Sequence, residues 1–185
     1  MSAGPVSTHV ALLRGVNVGG KNKLPMENLR AMFTLAGCEA VETYIQSGNV
    51  VFKAGGALAT RIPTLIARGI EERFGYRVPV LVRTLDELRD VVRANPFLGT
   101  VDDTKSLHVA FLRETPESDK VARLDPDRSP PDAFRVRGRE IFLRCPNGLA
   151  RTRLTNDYFD SKLATTSTVR NWRTVLMLLT MAQGD

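Results

Sequence analysis

The run Gly15-Val16-Asn17-Val18-Gly19-Gly20-Lys21-Asn22 sets a GxxxxGK spacing directly after an apolar stretch, and Lys23 adds a further charge. That is most of a phosphate-binding loop, in which glycines let backbone N–H groups converge on an anion and a lysine supplies charge. Three departures argue against the Mg²⁺-dependent NTPase form. Asn22 stands where a Ser or Thr hydroxyl would meet the metal. Pro25 delays the following helix by about a turn, and no apolar strand ends in an Asp that would organise Mg²⁺. What remains is a looser cradle made of the Gly19-Gly20 backbone, Lys21 and Lys23, with the side-chain amides of Asn17 and Asn22. A plain turn with solvated lysines is the alternative. Strand-to-helix connections usually take about 2–6 residues, so the extra length of 15–24 favours a use.

A second polar group lies near the C-terminus, in "LARTRLTNDYFDSKL" and "TVRNWRT". Arg151, Arg153, Arg170 and Arg173, with Asn171 and Thr174, offer forked donors of the kind that hold carboxylate or phosphate. Capping and surface ion pairs are the competing use for them. Thr155 or Asn156 is the N-cap of the helix they precede. Asp157 and Asp160 share a helix face at i, i+3, but no His or third carboxylate nearby completes a metal site. Ser47 sits in a turn without a histidine in local sequence, so it is not read as a nucleophile. No metal and no cofactor are expected.

Charge placement supports an anionic partner. Of 26 Lys and Arg against 20 Asp and Glu, the segment 134–173 holds nine cations and three acids. Residues 14–23 add three cations and no acid. Such clustering attracts phosphate, nucleic acid or anionic metabolites. Aromatic residues make up 6% of the chain, which leaves few tools for base stacking and speaks against an RNA-reading sheet. No stretch approaches ~18 uninterrupted apolar residues, the N-terminus lacks the pattern of a signal peptide, and Cys38 and Cys145 are isolated. We therefore expect a cytoplasmic protein with reduced, buried thiols and no membrane partner.

The elements that must position these groups follow from periodicity. "THVALLR" (8–14) reads as a buried strand and "MENLRAMFTLAG" (26–37) as a helix stopped at Gly37. "VETYIQ" and "NVVFK" form a hairpin through Ser47-Gly48, and a helix over 57–75 is disturbed at Pro63. "RVPVLVRT" is an edge strand because Pro79 lacks a ladder donor. The order βαββαβ is the ferredoxin-like unit, in which the fourth strand lies at the edge.

A second copy follows the helix at 85–94. "HVALLR" (9–14) and "HVAFLR" (108–113) share five of six residues, and "YIQSGNVVF" (44–52) aligns with "FRVRGREIF" (134–142), Gly48 against Gly138. His9 and His108 therefore match by fold symmetry and are packed residues. After Cys145 the copy diverges into helices at about 155–163 and 168–182, the latter packing Val169, Trp172, Val175, Leu176 and Leu179. The expected architecture is α+β: a ferredoxin-like subdomain over 1–84, a connecting helix and linker over 85–103, and an incomplete second unit over 104–185 ending in two helices.

The pieces "LLRGVNVGGKNKLPM", "TYIQSGNVVF", "RTRLTNDYFDSKL" and "TVRNWRTV" resemble the bacterial family designated domain of unknown function 1697. The resemblance spans nearly the whole chain, in order. It implies two α+β subdomains similar to the ferredoxin-like fold and brings no activity, cofactor or catalytic residue. It also marks polar positions inside its motifs: Arg14, Asn17, Lys21, Gln46, Ser47, Asn49, Arg151, Asn156, Arg170 and Asn171. Adding Gly19, Gly20, Lys23, Arg153 and Arg173 from the residues themselves gives the candidate ligand site, expected as one basic cleft between the subdomains that takes a nucleotide or nucleic acid. Two other readings stand beside it. One is a metal-independent enzyme on a small anionic substrate, with Asp157 or Asp160 as base. The other is a protein-interaction or oligomerisation module using the fourth-strand edge or the apolar face of the last helix.

Overall fold

The computed structural model describes residues 4–184. They form two compact units, one running to Arg89 and regaining the chain from Met177, the other Asp90–Leu176. The first contains β1 (Val6–Leu13), α1 (Met26–Leu35), β2 (Glu39–Tyr44), β3 (Asn49–Gly55), α2 (Gly56–Phe74) and β4 (Val80–Thr84). Its sheet has the order β2-β3-β1-β4 with every neighbour antiparallel. β4 is at the edge, where Pro79 just before it costs no ladder bond.

Alternation along β1 sends Ala11 and Leu13 toward the helices, into a core with Phe33, Phe52, Ile62 and Ile66. α2 continues through Pro63 and stops where Gly75 takes φ 78° and donates to the Glu71 carbonyl. The helix α3 (Leu85–Ala94) opens on a capping box. Thr84 Oγ1 accepts the Glu87 N–H at 3.1 Å, and Glu87 Oε2 accepts the Thr84 N–H at 2.8 Å. The boundary between the units falls inside this helix.

The second unit repeats the plan with β5 (Leu107–Leu112), α4 (Ser118–Ala122), β6 (Ala133–Arg137), β7 (Glu140–Arg144), α5 (Asn156–Leu163) and β8 (Ser167–Asn171), followed by α6 (Trp172–Gln183). The sheet order is β6-β7-β5-β8, the same permutation. The α+β architecture of two ferredoxin-like units holds. The expectation that the second is incomplete does not, because the segment 167–171 is a strand antiparallel to β5.

"STVRN" is short and lacks strong apolar alternation, so local pattern gave no reason to separate it from the helix that follows. Pairing with β5 decides its conformation. Val169 therefore packs from a strand. The buried face of α6 is Trp172, Val175, Leu178 and Ala182, while Leu176 is exposed at 41%.

The register also corrects the repeat alignment by one residue. His9 pairs with Phe52, and its counterpart His108 pairs with Leu143 rather than Phe142. Asn49 thus corresponds to Glu140, and Gly48 to Arg139. The repeat extends past the expected unit into the trailing helix: Asn171 Oδ1 caps α6 by accepting the Thr174 N–H at 2.8 Å, as Thr84 caps α3. No helix among the described residues is long and apolar enough to cross a membrane.

Candidate functional site

The glycine loop is a turn closed by its own hydrogen bonds. Gly19 and Gly20 take φ 58° and 74° between Val18 and Lys21, which form a two-residue bridge closed by Lys21 N–H to the Val18 carbonyl at 3.0 Å. Positive φ at both central positions is the type I′ requirement, which glycine meets without strain. Beneath the turn, Asn17 N–H donates to the Asn22 carbonyl at 3.1 Å, and Asn22 Nδ2 donates to the Gly15 carbonyl at 2.9 Å.

Asn17 fixes the loop to the rest of the unit. It sits in the left-handed region at φ 54°. Its Oδ1 accepts the Leu24 N–H at 2.8 Å, and its Nδ2 donates to the Leu24 and Gln46 carbonyls at 2.8 and 2.7 Å. The last bond ties the loop to the β2–β3 connection, 29 residues away. That connection is itself closed by buried Asn49, whose Nδ2 donates to the Tyr44 carbonyl and to Ser47 Oγ at 3.2 and 2.9 Å. Gly48 is pressed so close to β1 that a Cβ there would lie 2.7 Å from Leu13 Cβ and 2.8 Å from Val16 Cγ2. Arg14 N–H donates to the Pro79 carbonyl at 3.0 Å, and Tyr76 hydroxyl donates to the Lys23 carbonyl at 2.8 Å.

One end of the first sheet therefore gathers Arg14, Asn17, Gly19, Gly20, Lys21, Lys23, Gln46, Ser47 and Asn49. The amides of Asn17, Asn22 and Asn49 are spent on backbone and hydroxyl partners. The groups that face outward are the ammoniums of Lys21 and Lys23, both exposed and without a carboxylate partner among the described residues. Two aliphatic side chains share this rim, Val18 at 62% and Ile45 at 50% exposure. Tyr76 carried no signal in local sequence, because its partner Lys23 is 53 residues away.

The candidate residues of the second unit have separate roles. Arg170 is buried on β8, with Nη1 donating to Thr168 Oγ1 at 2.7 Å and the Val169 carbonyl at 3.0 Å. Loss of solvation brings its guanidinium down to a pKa of about 10. Asn171 is the α6 cap. Asn156 accepts the Ser167 hydroxyl at 3.1 Å, while the N-cap of α5 is Thr155, which accepts the Tyr158 N–H. Arg151, Arg153 and Arg173 are exposed, and Arg153 N–H donates to buried Ser129 Oγ at 3.0 Å.

Asp160 Oδ1 accepts both the N–H and the hydroxyl of Ser167 at 2.7 Å, a structural use of one of the two carboxylates, Asp157 or Asp160, that the enzyme reading offers as base. His9 and His108 are buried, and desolvation holds both below the ordinary imidazole range. Cys38 and Cys145 are buried free thiols pushed up to about 11, chiefly by desolvation. Among the described residues, no group of three His, Cys, Asp or Glu is placed to hold a metal ion. An open groove between α1 and β2, lined by Glu27, Arg30, Thr34, Cys38 and Glu42 among others, includes none of the candidate residues.

Fold and loop together define a protein of two tandem ferredoxin-like units, the first bearing a cationic glycine turn. The family described as "Protein of unknown function (DUF1697)" matches residues 6–142, and the chain belongs to it. Among solved structures it is similar to the conserved bacterial protein SP0830 from Streptococcus pneumoniae, at 22% identity and a TM-score of 0.73, over 96% of this chain and 99% of that one. That likeness concerns the fold. No curated protein matches the chain.

Proposed function

We propose that the protein binds a phosphate-bearing ligand, a nucleotide or nucleic acid, at the glycine turn of its first unit. One observation carries this reading: Lys21 and Lys23 are exposed and have no carboxylate partner among the described residues, on a turn whose backbone is held by Asn17 and Asn22. The ordering entropy of the loop is met in folding, so a ligand meets positioned cations. Exposed ammoniums act as solvated point charges, which makes the contact salt-sensitive. The two buried thiols suit a reducing setting, and we place the protein in the cytoplasm.

The test is a thermal-shift and titration series with nucleotides, inorganic phosphate and short oligonucleotides, comparing wild type with Lys21→Ala/Lys23→Ala and, separately, Arg151→Ala/Arg153→Ala. A ligand at 100 times its Kd adds about 2.7 kcal/mol of stability. The lysine variant is expected to lose that shift while its own melting temperature stays at the wild-type value. The arginine variant reports whether the second unit adds to the same ligand. Equal binding by wild type and the lysine variant refutes the assignment.

A further inference from the structure

The face of the second sheet turned away from α4 and α5 is closed over β5 and at Phe142, where Leu107, Val109, Phe111 and Phe142 are buried, and carries a group of arginines along its β6 side. Phe134, Val136, Ile141, Leu143, Ala110, Leu112 and Val169 point to the helical core. By alternation, Arg135 and Arg137 on β6 and Arg144 on β7 point the other way. The register pairs Arg135 with Phe142, Arg137 with Glu140 and Arg144 with Leu107.

The first unit supplies an internal control. Its equivalent positions, read from the matching pairs Glu42 with Val51, Tyr44 with Asn49, and Lys53 with Thr8, hold Glu42, Tyr44 and Lys53. The same strands thus form with a net charge of zero at these three sites in one unit and +3 in the other. Strand pairing by itself does not demand the arginines.

Their surroundings leave them accessible at the β6 edge. Arg135 and Arg137 are exposed and Arg144 is half-buried. With exposed Arg113 beside the hairpin, none of the four has a carboxylate partner among the described residues. Arg137 Nη1 donates to the Ala94 carbonyl at 2.7 Å, which brings the end of α3 alongside. The turn that follows holds buried Asn95, whose Oδ1 accepts the Phe97 N–H at 3.0 Å. The Arg144 guanidinium lies 6.0 Å from the Phe97 ring. Asn95 Nδ2 and Arg144 Nε are buried donors with no acceptor. Orphaned buried donors are uncommon in proteins.

We propose that this face of β6 and β7 binds the phosphodiester backbone of nucleic acid, with Arg135, Arg137 and Arg144 contacting phosphates and Arg113 extending the track at the hairpin end. Arg135 and Arg137, two residues apart on a strand, have Cα atoms about 7 Å apart, and their guanidiniums donate to the Phe134 and Ala94 carbonyls at 2.8 and 2.7 Å. Binding is independent of base sequence, because contacts to phosphates carry no sequence information, and no aromatic residue among the described ones is exposed to stack on bases. The proposal stands apart from the glycine turn, so either can fail alone.

The experiment measures fluorescence anisotropy of labelled 20-mer oligo(dT) and oligo(dA) from 50 to 200 mM KCl. Wild type is compared with Arg135→Glu/Arg137→Tyr, which installs the residue types the first unit tolerates at these positions. Four phosphate contacts on a single strand give a salt slope near −2.8 and about a 50-fold loss of affinity over that range. Removing two gives a slope near −1.4 and about a 7-fold loss. Arg144→Lys, which keeps the charge and removes the Nε–H donor, weakens binding at an unchanged slope. Lys21→Ala/Lys23→Ala leaves the arginine-track slope in place. The proposal is overturned by equal affinity and slope in wild type and the double variant with the variant folded, by no binding at 50 mM salt, by a strong preference between the two homopolymers, or by competition from polyglutamate as strong as from unlabelled oligonucleotide.

Discussion

Asn17 is the residue whose loss most directly tests how the glycine turn is held. Asn17→Ala removes three hydrogen bonds, two of them to the backbone of Leu24, which is 1% exposed. A net hydrogen bond is worth about 1 kcal/mol, and a buried group left without a partner costs more. The Leu24 N–H and carbonyl therefore contribute about 2 kcal/mol between them, and the exposed bond to the Gln46 carbonyl contributes less because water replaces it. Alanine also tolerates φ 54° less well than asparagine, adding about 0.5–1 kcal/mol. The sum is about 3 kcal/mol, or about 6–12 °C in melting temperature for a chain of this size.

Hydrogen exchange resolves the cause. Amides of β1 that exchange by global unfolding are expected to lose about a hundredfold in protection, matching about 3 kcal/mol, while the Leu24 amide loses its own hydrogen bond and exchanges by local opening at a lower free energy than theirs. Asn17→Asp sharpens the test, since it keeps an acceptor for the Leu24 N–H but sets a carboxylate oxygen against two carbonyls. It is at least as destabilising as alanine at neutral pH and recovers on acidification, when the protonated group donates again. Asn17→Ala also weakens any ligand held by Lys21 without touching it, whereas the lysine variant loses the ligand at constant stability. A melting temperature within about 1 °C of wild type, with Leu24 protection unchanged, refutes the view that Asn17 holds the loop.

Two further outcomes follow from packing and burial. Gly48→Ala combines φ 78° with the 2.7 and 2.8 Å approaches to Leu13 and Val16, so it is expected to cost about 3 kcal/mol. Gly19→Ala, at φ 58° with open space around it, pays the backbone strain alone, and equal melting temperatures for the two would contradict the clash. His9 and His108 are held below 6.5 by burial, against the opposing pull of the Ser7 and Ser106 carbonyls and of Glu87 and Asp132. The unfolded chain therefore takes up these protons first as pH falls through about 6.5, and stability present above that pH is lost below it. Chemical denaturation at pH 7.5 and 5.5 should show the drop, and His9→Gln/His108→Gln should shrink it. An undiminished drop in the double variant would assign it to other groups.

Much of the fold was legible because its signals are local. Repetition of "HVALLR" marked the central strands, Pro79 marked an edge, and 85–94 read as the helix it is. What failed did so where distant pairing decides. β8 takes its conformation from β5, and its own residues carry little preference. The alignment of the two hairpins matched Phe52 with Phe142 by chemical likeness. Yet Phe52 lies in the helical core of its unit and Phe142 is turned to the other face of its sheet, and a slip of one residue exchanges the faces. In the candidate site, the glycines and lysines were visible as types. Asn17 looked like a ligand donor because its partners, seven and 29 residues away, leave no trace in neighbouring sequence. Arg135 and Arg137 were visible only as charge, since their common face depends on the strand register.

The repeat separates what the fold needs from what it does not. Both copies keep a histidine on the central strand, a buried arginine on the last strand (Arg83 and Arg170, paired with Val10 and Val109), and a polar cap on the trailing helix. These shared groups sit inside each unit, and burying Arg170 costs enough to lower its pKa to about 10. Features present in one copy alone answer to something else. The connection after the first strand runs over 14–25 in the first unit and over 113–117 in the second, and the glycine turn occupies the surplus. The arginine track exists only on the second sheet, where the first holds Glu42 and Tyr44 in the same strand positions. Both unshared features carry exposed cations without carboxylate partners among the described residues. The proposed anionic partner would account for both, and the two variant series test its two halves separately.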